Sequence, residues 1–265
     1  MTDVKAWQSF MRAAEPADHA VQIYDDPDEL QRVVCSFIGA GFEAGAPAVV
    51  IATAAHGELF DRGLAARGWD LDGIRAEGLL DVVDAEEALS VVMHGVSPDS
   101  GSFTRVVGGR IDAAAAHFPG STVRAYGEMV DLLWRRGRQA AAIELEKLWN
   151  ELAVTRNFAL LCAYELDIFE TDVQARDLPE IFGVHSHARP ATDPAGLAAA
   201  VDRALTDCVG PVEAARIYLA VAEQVPQGDA SRGQAVLAWL SANRADTAEP
   251  VLERLRALRP KSAPA

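Results

Sequence analysis

The 265-residue sequence has few cysteines and few basic residues, and both shortages exclude classes of protein. Its three cysteines, Cys35, Cys162 and Cys208, are far apart and irregularly spaced. They therefore form neither a disulfide framework nor a C-x-x-C metal pair, and reduced thiols in a cytoplasmic protein are the expectation. Lys and Arg number 24 against 39 Asp and Glu, which gives a net charge of −15. Because this charge repels nucleic acid and anionic membranes, we expect direct binding to neither.

Long apolar runs are also missing. No stretch reaches the roughly 18–20 apolar residues that a membrane span requires. The first residues, MTDVKAWQSFMRAAEPADH, lack the basic and apolar segments of a signal peptide. With 50% hydrophobic and 24% charged residues, the composition is that of an ordinary globular protein. We expect a soluble, cytoplasmic protein.

Phosphate-binding motifs are absent as well. Neither G-x-x-x-x-G-K-[ST] nor a G-x-G-x-x-G after a strand occurs, and the glycines of VVGGR at 106–110 lie in a helical pattern. The loop after the first apolar run is DDPDE, residues 25–29. Asp26 suits a helix N-cap, Pro27 suits the first helical position, and the next two carboxylates suit the positive end of the helix dipole. This loop has the wrong charge for phosphate, so we expect no nucleotide cofactor.

Short apolar runs alternate with helical patterns through residue 169. After a short helix at about 3–14, strands are predicted at 20–24, 46–53, 78–85, 121–130 and 157–169. Between them, helical spacing is clearest at 30–38 and 138–156. Nearly continuous apolar strands alternating with helices predict a mostly parallel sheet covered by helices on both faces.

The pattern changes after residue 172. A short helix and a proline-bearing connector come first, and from about 191 the chain is alanine-rich and helical in pattern, with Pro, Gly or Asp between the segments. The sequence therefore predicts an α/β domain at 1–187 and an all-α C-terminal region at 188–265.

Signals of catalysis or metal binding are weak. No serine lies in G-x-S-x-G, and Cys162 lies in an apolar run, where structural thiols are the common case. His185 and His187 flank one serine, a spacing typical of solvated loops, and zinc needs four ligands with local pairs. We expect no catalytic residue, metal or cofactor. An enzyme that uses Glu128 or Cys162 remains an alternative.

Polar residues do, however, follow or begin several predicted strands. His19 precedes the first strand, Tyr24 ends it, and Glu128 and Tyr164 lie near the ends of two others. Glu146 lies on the flank of the apolar face of the 138–156 helix. Since open α/β sheets bind ligands at the carboxyl ends of their strands, we expect these side chains to form a small-molecule site there.

Two segments resemble the MEDS sensory domain of methanogen and methylotroph regulators of the dichloromethane-repressor type. They are DHAVQIYDDPDELQRVVCSFIGAGFEAGAPAVVIAT and VRAYGEMVDLLWRRGRQAAAIELEKLWNELAVTRNFALLCAYELDIF, and the resemblance covers about 15–187. It implies a RecA-like fold without a phosphate loop, and a role in transcription regulation through sensing of a small, hydrocarbon-derived molecule. The matching positions, expected as ligand contacts, are His19, Tyr24, Glu128, Glu146, Cys162, Tyr164 and His185.

Two kinds of function follow. The first is a non-enzymatic sensor that binds a small-molecule ligand. It would signal to a regulatory protein partner, because no helix-turn-helix, PAS or kinase segment is recognisable in the sequence. The second is a degenerate RecA-like interaction scaffold without a ligand, which would oligomerise or dock a regulator. A homo-oligomer is compatible with either.

Overall fold

A computed structural model describes residues 4–189, 194–224 and 232–258. The chain forms two compact units. One comprises residues 4–165 and 184–188, and the other comprises 166–183 and the described residues from Arg189 onward. The chain therefore leaves the first unit after Glu165 and returns to it at Val184.

A six-stranded sheet forms the centre of the first unit. The strands of the chain are β1 (His19–Tyr24), β2 (Ala48–Ala52), β3 (Leu80–Asp84), β4 (Met93–His94), β5 (Ser97–Pro98), β6 (Val123–Gly127), β7 (Phe158–Glu165) and β8 (His187–Arg189). The large sheet has the order β3-β2-β6-β7-β1-β8, and β4 and β5 form a small antiparallel hairpin. The five predicted strands are confirmed; four have narrower bounds, and β1 begins one residue earlier, at His19. The hairpin and the edge strand β8 were not predicted.

Helices follow nearly every strand. Those of residues 4–182 are α1 (Val4–Ala13), α2 (Pro27–Glu43), α3 (Ala54–Ala65), α4 (Leu71–Ala76), α5 (Ala85–Val92), α6 (Ser100–Phe103), α7 (Gly109–His117), α8 (Met129–Arg135), α9 (Gln139–Ala153) and α10 (Leu178–Phe182). Two π-helical turns, Thr104–Gly108 and Val173–Asp177, precede α7 and α10. Asp26 caps α2 as expected, because its side chain accepts a hydrogen bond from the backbone N–H of Asp28.

The pairing of the strands explains why most of their sequences are largely apolar and do not alternate. β1 with β7, β7 with β6, β6 with β2 and β2 with β3 all pair in parallel. Every residue of β1, β2 and β6 is buried, as are the first seven residues of β7. A strand covered on both faces has no solvent side and so shows no alternation. The predicted α/β class with a parallel sheet is confirmed.

The two faces of the sheet have separate helical layers. On one face, Trp7, Phe10, Phe37 and Phe60 from α1, α2 and α3 share a core with Tyr126 of β6. On the other, Trp149 of α9 packs edge-on against Phe103 and beside Phe158. It also lies over Gly127, where an added Cβ would come within 3.1 Å of the indole. The glycine lets α9 approach the sheet closely.

The second unit contains α10 and three longer helices, α11 (Pro194–Gln224), α12 (Arg232–Asn243) and α13 (Ala245–Leu258). α11 is broken at Gly210, which has φ 79° and precedes Pro211. The predicted helical C-terminal region is confirmed where it is described, and its residues 190–193, 225–231 and 259–265 lie outside the described ranges. Among the described helices, none has the length and apolarity to cross a membrane.

A buried arginine ties α1 to the sheet. The guanidinium of Arg124 in β6 donates to the carbonyl oxygen of Arg12 at 2.9 Å and lies within 3.4 Å of those of Phe10 and Met11. It also lies 4.8 Å from the ring centre of Phe37. Burial lowers the pKa of Arg124 to about 10. The cation satisfies carbonyls at the C-terminal end of α1, which its own helix leaves without donors.

Replacing this cation should destabilise the protein markedly. We expect Arg124→Met to lower the free energy of unfolding by about 2–4 kcal/mol, because buried carbonyl groups lose their donors. The control is Arg110→Met, which removes a half-exposed ion pair with Asp81 and should cost less than about 1 kcal/mol. Urea unfolding measures both. Equal losses would show that Arg124 does not hold α1.

Candidate functional site

The connections of the sheet diverge between the neighbouring strands β2 and β6. After β2 the chain passes through α3 and α4 to the edge strand β3, whereas after β6 it passes through α8 and α9 to β7 on the other side. The connections thus diverge between these neighbouring strands, and such a point is where open α/β sheets bind ligands. Thr53 follows β2 here, and Glu128 follows β6.

Glu128 is the centre of the polar contacts at this point. Its side chain is 1% exposed, and its Oε2 accepts a hydrogen bond from the backbone N–H of Thr53 at 2.9 Å. Its Oε1 lies 2.8 Å from Nδ1 of His56. Thr53 is the N-cap of α3, so the carboxylate lies at the positive end of that helix dipole. The hydrogen bond to Glu128 also raises the pKa of His56, against the effect of burial.

An ion pair lies beside this carboxylate. Asp131 accepts a hydrogen bond from the backbone N–H of Glu165 at 3.0 Å and pairs with Nε of Arg135 at 2.9 Å. Burial raises the pKa of Asp131 to about 6. Arg135 also lies 3.9 Å from Glu128, and its side chain is 41% exposed. The polar contacts therefore extend from the buried strand ends to solvent.

Two tyrosines from different strands complete this region. The hydroxyl groups of Tyr24 and Tyr126 are buried and have no hydrogen-bond partner among the described residues. The Tyr24 ring lies 6.3 Å from that of His56, and the Tyr126 ring packs edge-on against Phe60 at 5.2 Å. Burial raises the pKa of Tyr126 well above its usual range. A buried hydroxyl without a protein partner is rare and points to water or a ligand.

We refer to these side chains at the ends of β1, β2 and β6 as the carboxyl-edge group. Its members are Tyr24, Thr53, His56, Tyr126, Glu128, Asp131 and Arg135.

A second polar group lies between the sheet and α9. Glu146 of α9 is fully buried, and its two oxygens lie 3.2 Å from Nε2 of His19 and 3.2 Å from Nε2 of His185. Tyr164 donates its hydroxyl hydrogen to the same carboxylate at 2.7 Å, and Sγ of Cys162 lies 3.4 Å from it. Burial raises the pKa of Glu146, but the two imidazoles outweigh burial and hold that pKa below its usual range.

Asn150 orients one imidazole of this group. Its Oδ1 lies 2.8 Å from Nδ1 of His19, while its Nδ2 donates to the carbonyl oxygen of Val184 at 2.9 Å. Burial lowers the pKa of His19. Burial, followed by the neighbouring Glu146, raises the pKa of Cys162 well above its usual range.

We refer to this second set as the buried cluster. It consists of His19, Glu146, Asn150, Cys162, Tyr164 and His185.

A comparison with protein families identifies the α/β part of the chain. The family model described as "MEDS: MEthanogen/methylotroph, DcmR Sensory domain" matches residues 18–185, which is more than half of the chain. The chain belongs to the MEDS family. The resemblance noted in the sequence is thereby confirmed. Comparison with curated proteins and with solved structures finds no match.

The seven predicted positions of the MEDS domain fall into two places. Five of them, His19, Glu146, Cys162, Tyr164 and His185, meet in the buried cluster. Glu128 and the hydroxyl of Tyr24 belong to the carboxyl-edge group. Tyr24 is an odd number of positions from His19 in β1, so the two side chains leave opposite faces of the sheet. We expected one site at the carboxyl edge of the sheet, but the seven residues lie in two separate groups.

The HSH segment of the MEDS domain is not a solvated loop. The side chain of His185 is fully buried at Glu146. His187, two residues later, lies 3.2 Å from Asp18 and has a 20% exposed side chain. His-x-His places the two rings in different surroundings because β8 begins between them.

Several residues of the carboxyl-edge group were not predicted. Thr53 follows β2 directly and caps α3, and its position relative to a strand end was the available signal. Asp131 and Arg135 are one helical turn apart and follow Glu128. Glu128 was predicted from its position after a strand, and these two residues could have been found from their closeness to it. His56 and Tyr126 gave no signal of their own, because their roles depend on how α3 packs against β6.

The His56–Glu128 pair makes stability depend on pH in a defined direction. Because folding raises the pKa of His56, its contribution is fully present below the unfolded-state value of about 6.5 and is lost as pH rises through the folded-state value. We expect His56→Gln to destabilise the domain by about 1–2 kcal/mol at pH 5 and by less at pH 9. Urea unfolding at both values, with exposed His117→Gln as control, measures the difference. A loss that is independent of pH would contradict the assignment.

Proposed function

We propose that this MEDS domain is a non-enzymatic sensor that binds a small, largely apolar molecule at the carboxyl-edge group. The observation that carries the proposal is the pair of buried, unpartnered hydroxyls of Tyr24 and Tyr126 beside the Glu128–His56 pair. Rings of Tyr24, Phe60 and Tyr126 supply apolar contact, and the hydroxyls supply a few oriented polar groups. That combination is typical of small-molecule sites. The position between β2 and β6 supports the same conclusion.

The contacts favour binding over catalysis. Both oxygens of Glu128 are engaged, one by the backbone of Thr53 and one by His56, so the carboxylate is structurally committed. Without a bound metal ion, the raised pKa of Cys162 keeps its thiol protonated, and the thiolate is the nucleophilic form. An enzyme that used either residue would first have to break these arrangements.

The C-terminal helices are the proposed route to a regulatory partner. Val212 and Leu219 lie seven positions apart on α11, on one face of the helix. Their side chains are 69% and 65% exposed, although they are large and apolar. Two exposed apolar side chains on one helix face are suited to contact with another protein.

Removal of each hydroxyl tests the ligand site. We expect Tyr24→Phe and Tyr126→Phe to leave the free energy of unfolding unchanged or slightly raised, because neither hydroxyl has a protein partner to lose. Each should weaken a bound ligand by about 1 kcal/mol, or roughly fivefold. Chloromethanes, short alcohols, diols and phenol are the probes. Thermal shifts and calorimetry measure their binding to the full chain.

Tyr164→Phe is the matched control. Its hydroxyl is engaged by Glu146, so this variant should lose about 1–2 kcal/mol of stability and keep its affinity for any probe that binds. If no probe binds the wild-type chain, the ligand-free scaffold becomes the better interpretation. If a probe is chemically converted, the domain is an enzyme.

A further inference from the structure

We propose that His19, Glu146, Cys162 and His185 are the ligands of a buried transition-metal site of the zinc type. One donor atom from each residue lies within 4.8 Å of all the others. The set offers two imidazole nitrogens, one carboxylate oxygen and the sulfur of Cys162, which is a thiol without the ion and would lose its proton on coordination. This donor set suits zinc and its neighbours in the first transition series, and not Mg²⁺ or Ca²⁺, which prefer oxygen.

The spacing of three of the donor atoms fits a tetrahedral ion. Nε2 of His19 lies 3.2 Å from Glu146 and 3.4 Å from Sγ of Cys162, and that sulfur lies 3.4 Å from Glu146. Zinc bonds of about 2.0–2.3 Å in a tetrahedron place ligand atoms roughly 3.3–3.6 Å apart. Nε2 of His185 lies 3.2 Å from the other oxygen of Glu146. All four donor atoms lie within 4.8 Å of one another, so the side chains would have to close this spacing to coordinate one ion.

The hydrogen bonds around His19 leave the correct nitrogen for coordination. Because Nδ2 of Asn150 donates to Val184, its Oδ1 is an acceptor and takes the Nδ1–H of His19. In the neutral imidazole, Nε2 then carries a lone pair, and it faces a carboxylate oxygen and a sulfur. The single S–H hydrogen of Cys162 can serve only one of these two acceptors. A cation among the three atoms satisfies them all.

The surroundings also resemble those of a metal site. Metal-bound histidines usually donate their second ring N–H to an outer acceptor, and ligand carboxylates usually accept further hydrogen bonds. Here Asn150 accepts from His19, and Tyr164 donates to Glu146. A divalent ion with one thiolate and one carboxylate is neutral overall, which avoids burying an unbalanced charge. The ligands come from β1, α9, β7 and the residues before β8, so the ion would join four elements of the first unit.

This site is separate from the proposed sensing site. His19 and Cys162 leave the sheet on the α9 face, whereas Tyr24 and Tyr126 leave it on the α2 and α3 face. Metal binding at the buried cluster and ligand binding at the carboxyl-edge group can therefore be removed and measured separately.

Cobalt is the probe that reports both geometry and thiolate coordination. The full chain is stripped with a chelator and titrated with Co²⁺ alone. We expect uptake of one ion per chain, visible bands typical of tetrahedral Co²⁺, a thiolate-to-cobalt charge-transfer band in the near ultraviolet, and displacement by Zn²⁺. Absence of uptake, or octahedral spectra without the charge-transfer band, would overturn the proposal and show that protons alone hold the cluster.

The other two cysteines provide matched controls. Cys162→Ser should abolish the charge-transfer band, and His185→Gln should weaken Co²⁺ binding at least tenfold. The double variant Cys35→Ser, Cys208→Ser should retain the band, because Cys35 bonds to the carbonyl oxygen of Phe60 and Cys208 is exposed. A band that survives Cys162→Ser would refute the assignment. If that variant does not fold, X-ray absorption of the zinc-loaded wild type decides, since the site requires one sulfur among the ligands.

Discussion

The parallel pairing of β1 with β7 is the constraint on which both polar groups depend. In this register Val21 lies opposite Cys162 and Ile23 opposite Tyr164, so His19, Cys162 and Tyr164 all face α9. Tyr24 leaves the other face, toward α3. A slip of β1 by one residue would exchange the faces of all its side chains. It would bring the His19 imidazole among the aromatic rings of α1 and α2 and take the Tyr24 phenol away from Glu128.

Two buried glutamates show how differently the fold can stabilise one kind of charge. Glu128 is stabilised by a helix N-terminus, a backbone N–H and one imidazole, and its neighbour Arg135 reaches solvent. Glu146 is stabilised by side chains alone: two imidazoles, a phenol and a thiol, all deeply buried. The side chains around Glu146 can release protons, so a metal ion can take the place of those protons. The position of Glu128, by contrast, is fixed by backbone groups at the start of a helix, which cannot release protons in this way. The two groups are thus suited to different chemistry.

The sequence predicted most of the fold because its signal was local. Short, mostly apolar runs identified β1, β2, β3, β6 and β7, and helical spacing identified α2 and α9. β8 is only the three residues His187–Arg189, too short and too polar for any pattern to indicate a strand. Five of the six residues of the buried cluster could be identified from the sequence one by one, but their assembly into one group could not be predicted. An apolar run around Cys162 suggests an inert thiol, and only the packing of α9 across the sheet brings a carboxylate to it.

The acidic loop after β1 and the buried Glu128 together limit what the domain can bind. Asp26 and Asp28 lie at the N-terminal end of α2, and Glu128 lies at the N-terminal end of α3. These are the two helix ends that follow β1 and β2, and helix ends of this kind hold phosphate in nucleotide-binding relatives of the fold class. Here each is already neutralised by a carboxylate of the chain itself, within a protein of net charge −15. A phosphate-bearing or strongly anionic ligand would meet repulsion at both. A neutral molecule that donates hydrogen bonds to the tyrosines or accepts them would not, and this restricts the charge of the proposed ligand before its shape is considered.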